Sequence, residues 1–288
     1  MESRISDAME LLSDGLRTAL EKQPQLLKID EIRLRAEREL SVSIGGRDEI
    51  ISGALVGQDD IERTFKTAFS YSMHSYSKEL SRGSITTRGG NRVGICGTAA
   101  LDASGRVEAL KYVSSVNIRI AREIKGCADE IISRCFSDGL CGAIIIGAPA
   151  SGKTTVLRDI SRQLGDVYKI SLIDELNEIA ASYRGTPKND VGKLTDIFVG
   201  YPKPVGVQNA VRAMSPRAII ADEIGTDEDG KALEYALHSG VRLITAAHAQ
   251  SLEEAMKKPA VRRLFDAGSF SWAVELDSAK NQRVRKID

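Results

Sequence analysis

The stretch Gly147-Ala148-Pro149-Ala150-Ser151-Gly152-Lys153-Thr154-Thr155 fits the pattern G-x-x-x-x-G-K-[ST] at every fixed position. It directly follows an apolar run, residues 143–146, and a helical pattern begins where it ends. Glycines let a backbone approach phosphate oxygens, and the amide N–H groups of a helix N-terminus favour an anion. All nine residues are therefore predicted to bind the phosphates of a nucleotide as a P-loop.

Two side chains of this loop have distinct predicted tasks with ATP and Mg²⁺. Lys153 is expected to neutralise charge on the β and γ phosphates, and Thr154 to offer its hydroxyl to the metal. A second metal-positioning carboxylate is expected on a neighbouring strand. The apolar run 218–221 ends in two acids, Asp222 and Glu223. Asp222 is predicted to hold Mg²⁺, directly or through water, and Glu223 to orient or deprotonate the attacking water.

Further polar residues follow other predicted strands. Asp174 and Glu178 lie in an acidic cluster at a strand's carboxyl end, where ligands bind in open α/β sheets. They are predicted catalytic residues, although a solvated surface loop is an open alternative. His248 follows the strand around residues 243–246 and could sense the γ phosphate or couple the site to a neighbouring subunit. A structural histidine is the alternative.

Three arginines are candidates for stabilising charge on the transferring phosphoryl group. Arg212 shortly precedes the strand that ends in Asp222, while Arg119 and Arg122 lie near the predicted domain junction. Such arginines often act from a neighbouring subunit. For each of them, simple solvation at the surface is the competing interpretation.

The hydrophobic pattern predicts two domains in this chain of 288 residues. Residues 1–123 form a smaller α+β domain, with one amphipathic first helix through residues 5–20 and a hairpin from about 30 to 44. Helices at about 59–82 and a β region from about 84 to 120 follow. Residues 124–288 alternate short apolar strands with helices, which predicts an α/β domain with a mainly parallel sheet. Its predicted strands are 143–146, 168–173, 218–221 and 243–246.

Composition narrows the functional class. No apolar run approaches the ~18 residues needed to cross a bilayer, and the N-terminus is not a signal peptide, so a soluble cytoplasmic protein is expected. The four cysteines lack CxxC spacing, which argues against a zinc site. Forty basic residues balance forty acidic ones, so nucleic acid is not an expected partner.

The order of these motifs resembles the secretion ATPase superfamily of type II, type IV and pilus motors. Within it, the chain more closely resembles the stage III sporulation protein AA family. The matching segments are Gly147 to Thr155, Asp174 to Ala180, Met214-Ser-Pro216 with Asp222-Glu223, and Ala247-His248-Ala249. The similarity extends over about residues 30–275, including Arg88 to Gly97 and Val116 to Ala121 in the N-terminal domain. Leu176 and Ala249 stand where the family pattern has arginine and glycine.

This resemblance implies a RecA-like ATPase, hexameric and docked peripherally on membrane channel proteins of a sporulation complex between mother cell and forespore. Two other functions stay open. One is a P-loop ATPase that binds nucleic acid, although balanced charge and an aromatic content of 5% do not favour it. The other is an ATP-binding scaffold with negligible turnover, which the departures at Leu176 and Ala249 would favour.

Overall fold

A computed structural model describes residues 2–69, 83–103, 105 and 107–287. The chain forms two compact units. The first contains residues 1–122 together with the short segment 181–188, and the second contains residues 123–180 and 189–288. The division into an N-terminal α+β domain, residues 1–123, and an ATPase domain, residues 124–288, stays a prediction. Within the described residues, no helix is long and apolar enough to cross a membrane.

The first unit is built on an antiparallel six-stranded sheet in the order β3-β2-β1-β6-β5-β4. Its strands are β1 (Ile29–Arg35), β2 (Arg38–Ile44), β3 (Arg47–Val56), β4 (Ser84–Thr86), β5 (Arg92–Leu101) and β6 (Val107–Arg119). Its helices are α1 (Glu2–Met9), α2 (Asp14–Glu21) and α3 (Gln58–Ala68), with a 3₁₀ turn at Leu26–Lys28. Alternating residues of the strands join the first helices in one apolar core.

The first unit contains the predicted hairpin but differs from the sequence-based expectation in its first helix and in β3. The predicted hairpin is confirmed as β1 and β2. The single first helix is wrong, because α1 ends at Met9 and the extended backbone of Ser13 caps a second helix, α2, which begins at Asp14. β3 was missed, since its exposed residues mask the alternation. The predicted helical region beyond α3 lies partly in residues 70–82, outside the described part of the chain.

The second unit contains a seven-stranded sheet in the order β13-β12-β7-β11-β10-β8-β9, parallel except for β13. Its strands are β7 (Ala143–Gly147), β8 (Ile170–Asp174), β9 (Thr195–Val199), β10 (Ala218–Glu223), β11 (Arg242–His248), β12 (Trp272–Leu276) and β13 (Gln282–Lys286). Its helices are α4 (Asp129–Cys135), α5 (Lys153–Gly165), α6 (Lys203–Asn209), α7 (Asp227–His238), α8 (Leu252–Ala255) and α9 (Pro259–Asp266), with a π-helical turn at Ala210–Met214.

The parallel sheet is buried on both faces, which explains its continuous apolar runs. Alternate residues of the central strands enter two separate clusters, as Ile145 and Ile146 of β7 do. The four strands predicted from apolar runs are confirmed as β7, β8, β10 and β11. With both faces covered by helices, the carboxyl ends of the strands are the place for a ligand.

Candidate functional site

The P-loop lies at the carboxyl end of β7, and α5 begins at Lys153. Two of its residues have left-handed backbone, Ala150 with φ 61° and Gly152 with φ 101°. A side chain at Gly147 would place its Cβ against Ser151 Oγ and 3.1 Å from the carbonyl oxygen of Leu276 on β12. Glycine at 152 is therefore favoured by its backbone conformation, and glycine at 147 by the close approach of Ser151 and β12. The turn leaves amide groups near the helix N-terminus, where an anion binds.

The side chain of Lys153 folds back over the loop. Its Nζ donates hydrogen bonds to the carbonyl oxygens of Gly147 at 2.8 Å and Ala148 at 2.9 Å. Burial lowers the pKa of Lys153, and the carboxylate of Glu223 opposes that change. Ser151 Oγ is buried without a hydrogen-bond partner among the described residues. The cradle thus contains a cation and an unsatisfied hydroxyl, both of which can bind a phosphate.

A cavity of about 320 Å³ opens beside the loop, between the ends of β8, β10 and β11. Five predicted site residues line it, together with residues that no motif indicated. The lining residues are Lys153, Thr154, Leu157, Glu175, Leu176, Glu178, Ile179, Lys203, Asp222, Glu223, Gly225 and Ala246. Residues as far apart in sequence as Lys153 and Ala246 therefore face one space.

Asp222 is the most perturbed carboxylate at this cavity. Its side chain is 21% exposed, and Oδ1 lies 2.8 Å from the ammonium of Lys203. Burial raises the pKa of Asp222 to about 6, while Lys203 opposes the rise. No hydrogen-bond donor among the described residues satisfies Oδ1 with good geometry. This oxygen is therefore paired with a cation but lacks a well-directed hydrogen bond within the described part of the chain.

Glu223 and His248 stand at the ends of β10 and β11. His248 Nδ1 is 3.9 Å from Glu223 Oε1, and both side chains are more than two-fifths exposed. The backbone of His248 is also fixed, because its carbonyl oxygen accepts a hydrogen bond of 2.5 Å from Lys258. Strand order brings this histidine beside Gly147, its partner in the sheet register. The histidine and the carboxylate can therefore act on the same water or phosphate.

Asp174 is turned into its own loop. It is fully buried, and its carboxylate accepts hydrogen bonds from the amides of Glu178 at 2.9 Å, Ile179 at 3.1 Å and Ala180 at 2.8 Å. Burial raises the pKa of Asp174, and these amides work against the rise. The carboxylate shapes the loop that presents Glu175 and Glu178 to the cavity.

The three predicted arginines lie in different parts of the chain. Arg212 is exposed on the π-helical turn of the second unit. In the first unit, Arg119 pairs with Glu31 at 3.2 Å, and Arg122 pairs with Asp30 at 2.8 Å. Both of the latter guanidinium groups are thus anchored within their own unit.

Lys203 is the main residue that sequence reasoning missed. It is 4% exposed and begins α6 between Pro202 and Pro204. A lysine flanked by prolines resembles a surface turn, and its contacts are made by residues at least 19 positions away. No local pattern could have indicated it.

The donors at the cavity fit a magnesium ion rather than a metal held by protein alone. Among the described residues, no group of three or more His, Cys, Asp or Glu is arranged to hold a metal. Mg²⁺ usually takes one or two protein oxygens and completes its shell with phosphates and water. The hydroxyl of Thr154 and the unsatisfied Oδ1 of Asp222 are oxygens of this kind.

Comparison with known proteins gives a consistent set of relatives. The family "Sporulation stage III, protein AA" matches residues 2–287. Stage III sporulation protein AA of Bacillus subtilis (strain 168) is 35% identical over 284 residues, which cover 96% of this chain and 92% of that protein. Protein SEEDLING PLASTID DEVELOPMENT 1 of Arabidopsis thaliana is 25% identical over 285 residues, covering 96% of this chain and 38% of that one.

Solved structures share the fold at lower identity. The Legionella pneumophila ATPase DotB aligns with a TM-score of 0.60 at 16% identity, covering 94% of this chain and 78% of that one. The pilus retraction motor PilT, solved with bound ADP, aligns with a TM-score of 0.59 at 17% identity, covering 90% and 76%. These alignments confirm the predicted fold class, a RecA-like α/β fold with a mainly parallel sheet.

Proposed function

The chain belongs to the family Sporulation stage III, protein AA, and on that premise we propose that it is a Mg²⁺-dependent ATPase that powers a secretion-type assembly. The fold it shares with the secretion ATPases supports this proposal. PilT is a motor crystallised with ADP. We extend nucleotide use to this chain because its P-loop has the required residues and backbone.

One observation carries the proposal. Lys153 and Thr154 of the P-loop face the same 320 Å³ cavity as Asp222 and Glu223 of β10. Phosphoryl transfer requires a cation on the phosphates, a metal site and a group that orients water, all within reach of one γ phosphate. A P-loop fold that only bound Mg²⁺-ATP would still use Asp222, but it would have no need of a second acid such as Glu223 to orient water.

Each residue has a proposed task. Lys153 leaves the carbonyl oxygens of Gly147 and Ala148 and binds the β and γ phosphates, whose charge exceeds that of two carbonyl dipoles. Thr154 and Asp222 would hold Mg²⁺, which would neutralise phosphate charge. Glu223 accepts the proton of the attacking water.

The neighbouring groups support this chemistry. His248 is 3.9 Å from Glu223 and can hold its carboxylate toward the water or sense the phosphate. Glu178 lines the cavity and can bind water of the metal shell. For Asp174, which accepts three amide hydrogen bonds, we propose a positioning role in place of contact with the substrate.

Turnover would be coupled to work in an assembly of identical subunits. We place Arg119, Arg122 and Arg212 as candidates that complete a neighbour's site, since guanidinium groups stabilise transition-state charge across subunit interfaces. A hexamer docked at the membrane on channel proteins of a sporulation complex is the assembly that membership of this family favours. This arrangement would place the protein in the cytoplasm.

The test measures hydrolysis and assembly together. Purified full-length protein is incubated with ATP, with Mg²⁺ or with EDTA, while phosphate release is followed and mass is determined by light scattering. The proposal expects phosphate release only with Mg²⁺, and a larger oligomer with ATP than without it. Binding of ATP without release of phosphate would instead support the ATP-binding scaffold.

A further inference from the structure

A buried lysine lies at the centre of the acidic side of the cavity. Lys203 Nζ is 2.8 Å from Asp222 Oδ1 and donates a hydrogen bond of 2.6 Å to the carbonyl oxygen of Glu223. Two more carboxylate oxygens stand close by, from Asp229 at 3.8 Å and from Glu175 at 3.9 Å. The lysine side chain is 5% exposed, so water contributes little to its solvation.

The position of this lysine at a helix N-terminus and in the protein interior is unfavourable for a positive charge. Lys203 is the first residue of α6, where the helix dipole favours negative charge and disfavours a cation. A buried ammonium also loses its hydration. Both costs are offset by the surrounding carboxylates, so the lysine is held by the site and not by its helix.

Asp222 is the carboxylate that depends most on Lys203. Asp229 Oδ2 already accepts hydrogen bonds from the amides of Gly225 and Thr226, each at 3.0 Å, as part of the cap of α7. Asp222 Oδ1 has no such donors among the described residues. The ammonium therefore compensates the charge of the residue to which we assign the metal.

We propose that Lys203 is an internal counter-ion that occupies Asp222 until a magnesium nucleotide arrives. An oxygen cannot bind a divalent cation while an ammonium rests against it without bringing positive charges together. The nucleotide resolves this conflict, because its phosphates add negative charge for both cations. Lys203 thus makes metal binding conditional on nucleotide binding. This inference rests on the proposed nucleotide site but does not require hydrolysis.

A structural role for Lys203 and competition with the metal predict different experimental results. If Lys203 only supported the fold, its replacement would lower stability and leave the order of metal and nucleotide binding unchanged. If Lys203 competes with the metal, its replacement leaves the charge of Asp222 uncompensated. The nucleotide-free protein would then attract a divalent cation by itself.

The experiment titrates Mn²⁺ into nucleotide-free full-length protein and follows free Mn²⁺ by electron paramagnetic resonance. Lys203→Met is expected to bind Mn²⁺ at least about tenfold more tightly than the wild type, since one unit charge a few ångströms away has been removed. The control is Lys231→Met, which removes an exposed lysine paired with Asp227 at 2.8 Å. It should match the wild type. Equal Mn²⁺ affinity for Lys203→Met and the wild type overturns the proposal.

A second measurement uses only the wild type, in case the neutral variant does not fold. Mn²⁺ is titrated with and without ADP, and binding is expected to be at least about tenfold tighter with ADP. Equally tight binding without nucleotide would overturn the proposal. Both titrations measure binding, so a protein that binds metal in this order but releases no phosphate would contradict the proposed ATPase function alone.

Discussion

The ammonium group of Lys153 donates a hydrogen bond to the carbonyl oxygen of Gly147, 2.8 Å away, at the start of the P-loop. In the proposed mechanism this cation is released to the phosphates. Lys153→Ala should therefore abolish measurable phosphate release and weaken ATP binding by at least about 10-fold, because a partly desolvated charge contact is lost. Binding is checked with a fluorescent ATP analogue, and the exposed-lysine variant Lys231→Ala serves as the control. Unchanged turnover would reject the site.

Asp222 and Glu223 are adjacent, but their replacement should have different effects on nucleotide binding and hydrolysis. Glu223→Gln removes the group that accepts the proton, so Mg²⁺-ATP should still bind while hydrolysis falls at least about 10²-fold. Asp222→Asn removes a metal ligand, so binding should lose its dependence on Mg²⁺. Titrations of both variants with and without Mg²⁺, alongside rates of phosphate release, check this division. Equal loss of binding in the two variants would contradict it.

Leu176 contributes an exposed apolar side chain to the cavity wall, where the family pattern has arginine. Leu176→Arg adds a cation that faces the phosphates. ATP affinity should rise by roughly 1.5- to 5-fold, as is typical for a partly exposed charge contact. Leu176→Met, which keeps the wall apolar, is the matched control. If both variants bind ATP like the wild type, this position lies outside the reach of the nucleotide.

Asp159 supplies a pH-dependent part of the stability of the second unit. Burial alone raises the pKa of Asp159, but the amide of Ala128 at 2.9 Å and the guanidinium of Arg162 at 2.7 Å lower it overall. A lowered pKa stabilises the folded protein above the unfolded value of 3.8, and this stability is lost as the pH falls through the folded value.

Asp159→Asn should therefore lower the free energy of unfolding by about 2 to 4 kcal/mol at pH 7, since Arg162 loses its buried partner. The difference from the wild type should shrink as the pH falls toward and below 3.8. Urea unfolding at several pH values measures both effects. Asp129→Asn, which affects a carboxylate bonded to Gln163 nearer the surface, is the control and should cost much less. A difference independent of pH would contradict this reasoning.

Much of the second unit could be predicted because the residues that determine each strand and the P-loop are adjacent in sequence. Buried parallel strands appear as short apolar runs, and Gly152 of the P-loop has a left-handed backbone that favours glycine. β9, β12 and β13 were not predicted. β9 is only partly buried, and β13 is a mostly polar edge strand, so neither shows a plain apolar run. The role of Lys203 could not be predicted, because the acids that surround it are distant in sequence and only the fold brings them together.

The acidic segment from Asp174 to Glu178 could be predicted only in part. The apolar run before it predicts its position at the end of β8, and Glu178 lines the cavity. Whether a carboxylate faces a ligand or its own loop depends on side-chain direction, which the pattern does not encode. Asp174 satisfies the loop amides and is buried, as a result of that direction.

Arg119 and Arg122 test whether hydrolysis depends on assembly. The double replacement Arg119→Ala with Arg122→Ala should bind ATP nearly normally but hydrolyse it poorly. Mixed with inactive Lys153→Ala protein, it should regain partial activity, because some interfaces then combine an intact P-loop with intact arginines. Arg33→Ala, which removes another partner of Glu31 at 2.9 Å, is the control for loss of structure. A mixture that stays inactive although mixed oligomers form would contradict action between subunits.

The central claim is that the wild-type site hydrolyses ATP. A single-turnover measurement tests it most directly: protein in excess is mixed with radiolabelled ATP, quenched in acid at intervals, and the bound nucleotide is separated. We predict conversion of bound ATP to ADP with Mg²⁺ present, no conversion in EDTA, and intact bound ATP in the Glu223→Gln variant. Intact ATP on the assembled wild-type protein, with Mg²⁺ present throughout, would contradict the claim and identify the chain as an ATP-binding scaffold.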